Sequence, residues 1–202
     1  MKAGAEVVEE ELGCSLDILA VGEMGIGNTT PSTAIAAVFT ESPPAQLAGR
    51  GTGVDHDGLA RKIEAVERGL AVNQADPDDP IDVLAKVGGF EIGGMAGAIL
   101  AAAAHRRPVM VDGYIATAAA MVSAALAPSI QPYLIAGHLS NERGHKAMLN
   151  WLGLDPLLDL GMRLGEGTGA ALGFSLAEAA CKILSEMATF EEAGLSTATH
   201  AA

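Results

Sequence analysis

Large aromatic side chains are almost missing from this chain: Phe, Tyr and Trp make up 3% of 202 residues, although half of all residues are hydrophobic. A core of that kind is not filled by rings. It is built from alanine and glycine, which let helices and strands approach closely. Positive charge is also scarce, with 12 Lys and Arg against 25 Asp and Glu and a formal net charge of −13. That balance excludes nucleic acid as a partner, because phosphate contacts along a strand require clustered Lys and Arg. It still permits a small phosphorylated substrate, since one lysine and a nest of backbone N–H groups can hold a monoester. Only two cysteines occur, Cys14 and Cys181, with no CxxC spacing and no histidine at ligand spacing. Both are expected as buried free thiols in a reducing cytoplasm. No apolar run is long enough for a membrane span: Gly113 to Pro128, the longest, has 16 uncharged residues and reads as a buried helix. The first fifteen residues contain Lys2, Glu6, Glu9, Glu10 and Glu11 and no apolar signal-peptide core. The expectation is a soluble, cytoplasmic protein with no membrane partner and one sizeable core.

Glycine, by contrast, is abundant, at 25 residues, and it clusters. The stretch Val21-Gly22-Glu23-Met24-Gly25-Ile26-Gly27-Asn28-Thr29-Thr30-Pro31 follows the short apolar run Leu16–Val21. Thr30 is placed to N-cap a helix beginning at Pro31, where a missing N–H costs nothing. Strand, glycine-rich turn and helix N-terminus together present free N–H groups and a positive dipole end to an anion. Glu23 sets a carboxylate beside that phosphate-sized nest. The pattern is neither GxGxxG nor GxxxxGK[ST], so it implies neither a dinucleotide fold nor a P-loop. On glycines alone, a tight turn between strand and helix explains it equally well.

Along the rest of the chain, strands and helices alternate. Residues 2–12 read as a helix stopped by Gly13, and 16–21 as a strand. A helix over 31–39 is followed by an irregular connector, Glu41 to Pro44, and a second glycine cluster, Gly49-Arg50-Gly51-Thr52-Gly53. Asp55 caps a helix over 56–74, and Asp79 with Pro80 opens one to Val87. Phe90 to Ala104 is a helix with the small-residue face Gly93, Gly94, Gly97 and Ala101. Further strands fall at 108–111 and 133–136, with helices from Tyr114 to Leu126, to about Trp151, and from the RLGEG stretch to about Met187. This order predicts an α/β fold with a parallel sheet.

Ligands of such sheets bind outside the carboxyl ends of the strands. The loops expected there carry Glu23, Asp112, Ser140, Glu142 and Glu166, too many acids at one edge for a merely solvated surface. Asp112 is equally readable as the N-cap of the helix after it. His138, Glu142 and His145 raise a metal site, but only Glu142 and His145 share a helix face, and neither HExxH nor a Cys partner is present. Capping and a ligand-facing loop are the preferred reading.

GEMGIGNTT resembles the signature of the nicotinate-nucleotide:dimethylbenzimidazole phosphoribosyltransferases, enzymes of cobalamin lower-ligand synthesis. GRGTG, VGGFEIGGMAGAI, PVMVDGYIATAAA, HLSNERGH and LGLDPLLDLGMRLGEGTGAAL continue the resemblance, in order, from about Gly4 to Leu195. It implies a Rossmann-like parallel sheet flanked by helices, a single α/β domain over 1–195 and a frayed tail over 196–202. The implied reaction moves ribose 5-phosphate from nicotinate mononucleotide to a benzimidazole base, giving α-ribazole phosphate, with no cofactor and no metal. By position in the matched motifs, Glu166 is the implied catalytic base and Glu23 the second acid, supporting developing charge. Gly25, Asn28, Gly51, Lys62 and Ser140 are implied to contact the nucleotide, and Leu164 to wall the base pocket. Lys62 read alone would be a solvated helix charge; its place in the motif reverses that.

One departure accompanies the match. In the family GEMGIGNTT lies near the middle of the chain, after an N-terminal half that supplies further strands and much of the benzimidazole pocket. Here it begins at residue 22, so the fold is expected to be incomplete relative to the family. A homodimer, or association with a chain supplying the missing half, is the expected assembly.

Overall fold

The computed structural model describes residues 1–51 and 53–194. Thr52 and the tail expected to fray, 196–202, lie outside the described residues, as does Leu195.

Three parallel strands form the sheet: β1 (Leu19–Val21), β2 (Val109–Val111) and β3 (Leu134–Ala136), in the order β1-β2-β3. Leu19 pairs with Val109 and Val109 with Leu134, so the three carboxyl ends finish level. Each strand is shorter than the apolar run that announced it. Residues 16–18 stay out of β1, whose ladder opens where the Leu19 N–H donates to the Pro108 carbonyl. Beyond β3, the Leu157 N–H reaches the Ala136 carbonyl and the Leu139 N–H the Leu158 carbonyl. The apolar Leu157–Leu160 stretch thereby covers that side without becoming a regular element. On the other side β1 leaves Ala20 exposed.

Helices enclose the central strand. α7 (Tyr114–Leu126) is the uncharged run of the sequence, and eleven of its thirteen residues are buried. It packs against α6 (Phe90–Ala104) and α2 (Thr29–Thr40). α1 (Lys2–Leu12) lies across α6, and the small-residue face is the reason it can: a Cβ on Gly4 would overlap the Gly94 carbonyl, and one on Gly97 the Met1 carbonyl. α4 (His56–Asn73) and α5 (Pro80–Val87) begin where their caps foretold. Asp55 accepts from the Gly58 N–H, and Asp79 from those of Ile81 and Asp82. α8 (His145–Leu152) follows β3, and α9 (Thr168–Glu186) closes the described chain.

Three expectations need correction. α2 begins at Thr29 with Asn28 as N-cap, not at Pro31 with Thr30, and the Asn28 side chain makes no capping hydrogen bond among the described residues. The connector after it contains a short helix, α3 (Pro44–Leu47). Cys14 and Cys181 are exposed: Cys14 follows the α1 terminus and Cys181 sits on the outer face of α9, where composition alone had suggested burial. α9 itself is only lightly anchored, burying Gly169, Ala170 and Gly173 while Leu172, Leu176, Ile183 and Leu184 remain exposed.

Candidate functional site

The loops leaving the carboxyl ends of the strands meet over the sheet edge. The GEMGIGN turn leaves β1 with Gly25 at φ 90° and Gly27 at φ 80°, conformations a side chain would strain. Opposite it, Gly165, Glu166 and Gly167 form a left-handed run with φ of 78°, 59° and 77°. Glu166 is the non-glycine member, held in a region that disfavours L-residues and is found at functional sites. The two loops touch backbone to backbone. The Glu166 N–H donates to the Glu23 carbonyl at 2.8 Å, and a Cβ on Gly165 would lie 2.6 Å from that same carbonyl. A Cβ on Gly22 would overlap Gly167.

Glu23, Gly25, Gly51, Ser140 and Leu164 line one cavity with Met24, Thr29, Gly113, Tyr114, Ile115, His138, Glu142, Arg163 and Gly165. It holds about 50 Å³, room for a few waters or one phosphate group. Outside it a groove of about 600 Å³ runs past Met24, Ile26, Gly51, Arg163, Leu164 and Glu166. Seven of the eight residues singled out from sequence thus cluster around one mouth, counting Lys62 through its neighbours. Glu166 stands on the outer rim, exposed, while Leu164 and Gly51 border both spaces. Asn28 does not line the cavity. It is buried, with no hydrogen-bond partner for Oδ1 among the described residues.

Lys62 reaches the site from α4. Its Nζ donates to Thr29 Oγ1 at 2.7 Å and to the Gly49 carbonyl at 3.0 Å. It is therefore not a solvated helix charge. Burial lowers its pKa, with Glu142 working in the opposite direction. Glu142 accepts from the Gly51 N–H at 3.4 Å and lies 3.9 Å from Arg163, whose Nη1 donates to the Gly51 carbonyl. Gly51 is thus held through both its N–H and its carbonyl.

Asp112 resolves in a way neither sequence reading proposed. It does not cap α7, whose N-cap is Gly113 without a side-chain bond. Instead its carboxylate caps α9 from across the sheet, accepting from Gly167 at 3.1 Å, Gly169 at 2.7 Å and Ala170 at 3.1 Å. The buried acid at the end of β2 therefore anchors the helix that follows the Glu166 turn.

The two histidines have separate roles. His145 Nδ1 accepts from the Ser140 N–H at 2.8 Å, which places the ring proton on Nε2, 2.8 Å from Thr117 Oγ1. Burial, with His138 nearby, pushes its pKa down to about 3. His145 is a neutral strut that shapes the Ser140 loop. His138 faces the cavity, and its Nδ1 lies 3.6 Å from Asp112 Oδ1. Among the described residues no three His, Cys, Asp or Glu side chains are grouped to hold a metal. Thr29, Tyr114 and Arg163 are site residues that motif reading passed over. All three lie inside the quoted motifs; Tyr114 is buried, which raises its pKa, with its hydroxyl 3.0 Å from Thr33 Oγ1.

A family model described as phosphoribosyltransferase matches residues 1–195. The chain belongs to that family. The resemblance carried by GEMGIGNTT is thereby borne out, and so is the α/β class. Similar proteins include the nicotinate-nucleotide–dimethylbenzimidazole phosphoribosyltransferase of Desulforudis audaxviator, 61% identical over 98% of this chain and 56% of its own. The protein of the same name from Roseiflexus sp. is 60% identical over 97% of this chain and 56% of its own. Among solved structures, CobT from Thermus thermophilus matches with a TM-score of 0.90 and 46% identity, covering 96% of this chain and 57% of that one. The chain spans a little over half the length of the curated relatives it matches. No helix among the described residues is long and apolar enough to cross a membrane.

Proposed function

We propose that this phosphoribosyltransferase chain carries the nucleotide side and the base of an active site that transfers ribose 5-phosphate from nicotinate mononucleotide to 5,6-dimethylbenzimidazole, giving α-ribazole 5′-phosphate and nicotinate. The observation that carries this reading is the Glu166–Glu23 main-chain bond, which fixes two acidic loops over a cavity of phosphate size.

The chemistry asks for little more. A pyridinium leaves as a neutral ring nitrogen and requires no general acid. The benzimidazole attacks with one ring nitrogen and must lose the proton from the other. One carboxylate at the rim suffices as base, worth roughly 10²- to 10⁴-fold. Glu166 takes that role, and its charge also favours oxocarbenium character at the ribose. Glu23, whose Oε1 accepts from the Met24 N–H, supports that charge and positions the sugar. The phosphate occupies the inner cavity against Gly25, Gly51, Ser140 and the Lys62–Thr29 pair, and the rest of the nucleotide extends along the groove past Leu164. Asn28 acts behind the turn, by shaping it. Residues 1–195 serve as one α/β unit, in the cytoplasm, without cofactor.

A second reading has its own support. β1 leaves Ala20 exposed, α9 leaves an apolar face, and the chain spans 56% of its Desulforudis relative. On this reading the acceptor pocket is completed by another polypeptide or a second copy, and the chain alone only binds nucleotide. Incubating nicotinate mononucleotide and dimethylbenzimidazole with the chain, alone and mixed with a polypeptide supplying the remaining family sequence, separates the two. Turnover by the chain alone supports the first reading, and turnover only in the mixture the second. Neither turnover nor nucleotide binding in any mixture contradicts both.

A further inference from the structure

His138 is the one buried ring of the site with an unused nitrogen. It follows β3, its side chain is 2% exposed, and its Nδ1 has no hydrogen-bond partner among the described residues. The ring packs directly against Gly169, where a Cβ would overlap Nδ1, while a Cβ on Gly113 would make ordinary contact, 3.4 Å from Cε1 and 3.8 Å from Nε2. Its other edge faces the cavity that Ser140 and Glu142 also line.

The Nδ1 edge faces a carboxylate. Asp112 Oδ1 lies 3.6 Å away and already accepts from Gly169 and Ala170. A lone pair pointed at that oxygen would be repelled, so Nδ1 carries the proton and Nε2 is left for the cavity. A second feature of the same cavity is independent of this ring. α7, thirteen residues long, starts there with Gly113 as N-cap and no side-chain acceptor, so its first N–H groups and its positive dipole end face the same space.

We propose that His138, positioned by Asp112, is a further substrate-contacting residue: its Nε2 meets a phosphate oxygen of the nucleotide beside the α7 N-terminus, and the imidazole takes up a proton as the phosphate docks. This rests on the phosphoribosyltransferase reading of the site. The charged groups around the ring set the balance. Asp112 lies on the Nδ1 side, Glu142, Glu23 and the cation Arg163 line the same cavity, Tyr114 is held neutral by burial, and His145, at a ring-centroid distance of 6.2 Å, is neutral because both its nitrogens are engaged. An arriving phosphate supplies the negative charge that tips Nε2 to the protonated form. The proton comes from solvent, and no bond to carbon changes.

The test uses the whole chain, with nitrogen-15 NMR of the histidine rings and calorimetry in two buffers of different ionisation enthalpy. Nicotinate mononucleotide, its dephosphorylated riboside and inorganic phosphate are the probes. The expected result is that the nucleotide and inorganic phosphate move the His138 resonances to imidazolium with proton uptake, whereas the riboside does not. His138→Gln should then bind nucleotide about 10- to 100-fold more weakly, the loss of one charge-assisted contact, with riboside affinity unchanged. Should the nucleotide fail to bind while inorganic phosphate still charges His138, the transferase reading fails and the anion role stands. If nucleotide binds with His138 remaining neutral in the wild type, the proposal is overturned, whatever the variant does. The wild-type spectrum decides the matter even if His138→Gln does not fold.

Discussion

The main-chain N–H of Glu166 donates to the carbonyl of Glu23 at 2.8 Å across a gap of 143 positions in the sequence. That bond joins one glycine-rich turn to another, and the two backbones approach so closely because glycines stand at the contact. Gly22 lies against Gly167 and Gly165 against Glu23. The glycines are therefore the means by which two acids from opposite ends of the chain share one rim.

Gly22→Ala is expected to part the two turns. Its φ is not in the left-handed region, so the damage comes from the new methyl meeting Gly167. Overpacking of this kind costs about 1–3 kcal/mol. A urea titration should show that loss with the slope unchanged, and phosphoribosyl transfer should fall further than stability explains. Unaltered activity would show that the contact does not set the site.

Lys62→Met should separate binding from folding. Burial lowers the pKa of Lys62, so the folded state holds its charge at a cost, and the methionine variant is expected to be as stable as the wild type or more so. The sign of the pH dependence follows. Between the lowered folded pKa and the ordinary value of 10.5 the unfolded chain binds more protons, so this residue makes stability rise with pH there. Calorimetry should show nucleotide affinity falling at least tenfold in the variant, as for loss of a charged phosphate partner. Equal affinity would place the phosphate elsewhere.

His145 makes a prediction of the same sign at low pH. Its folded pKa is pushed down to about 3 from 6.5, so its contribution to stability is complete above pH 6.5 and is lost as pH falls toward 3. Between pH 7 and pH 5 that amounts to up to about 2 kcal/mol. Urea midpoints at the two pH values should differ by more in the wild type than in His145→Asn. Identical differences would mean that the ring titrates normally.

How far the sequence led depended on how local each cause is. Asp55 and Asp79 announced α4 and α5 because a cap bonds within three residues of itself. Thr30 misled because α2 starts earlier, at Thr29, from an N-cap, Asn28, whose side chain makes no capping bond among the described residues. The strands shrank because their lengths are set by neighbours: Leu16 is apolar enough for a strand but finds no ladder. Cys14 and Cys181 were placed inside by residue type, yet each sits beside or on a helix whose apolar residues remain partly uncovered. In the site, the motifs identified Glu23, Gly25, Gly51, Lys62, Ser140, Leu164 and Glu166 as neighbours, and the structure assembles them. Asp112 stayed ambiguous, since its three donors lie 55 to 58 positions away, on a helix no local rule connects to β2. The close approach of His138 to Gly169 was hidden for the same reason.

The most direct measurement of the central claim is the rate of α-ribazole phosphate formation by Glu166→Gln, beside the wild type, in whichever mixture supports turnover. Glutamine keeps the shape of the side chain at the rim and removes its charge. The rate should fall by roughly two to four orders of magnitude, as for loss of a general base with its electrostatic support, while affinity for nicotinate mononucleotide stays nearly intact. A Glu166→Gln protein that turns over as fast as the wild type would contradict the account, and Glu23 would be left as the acid to examine as base.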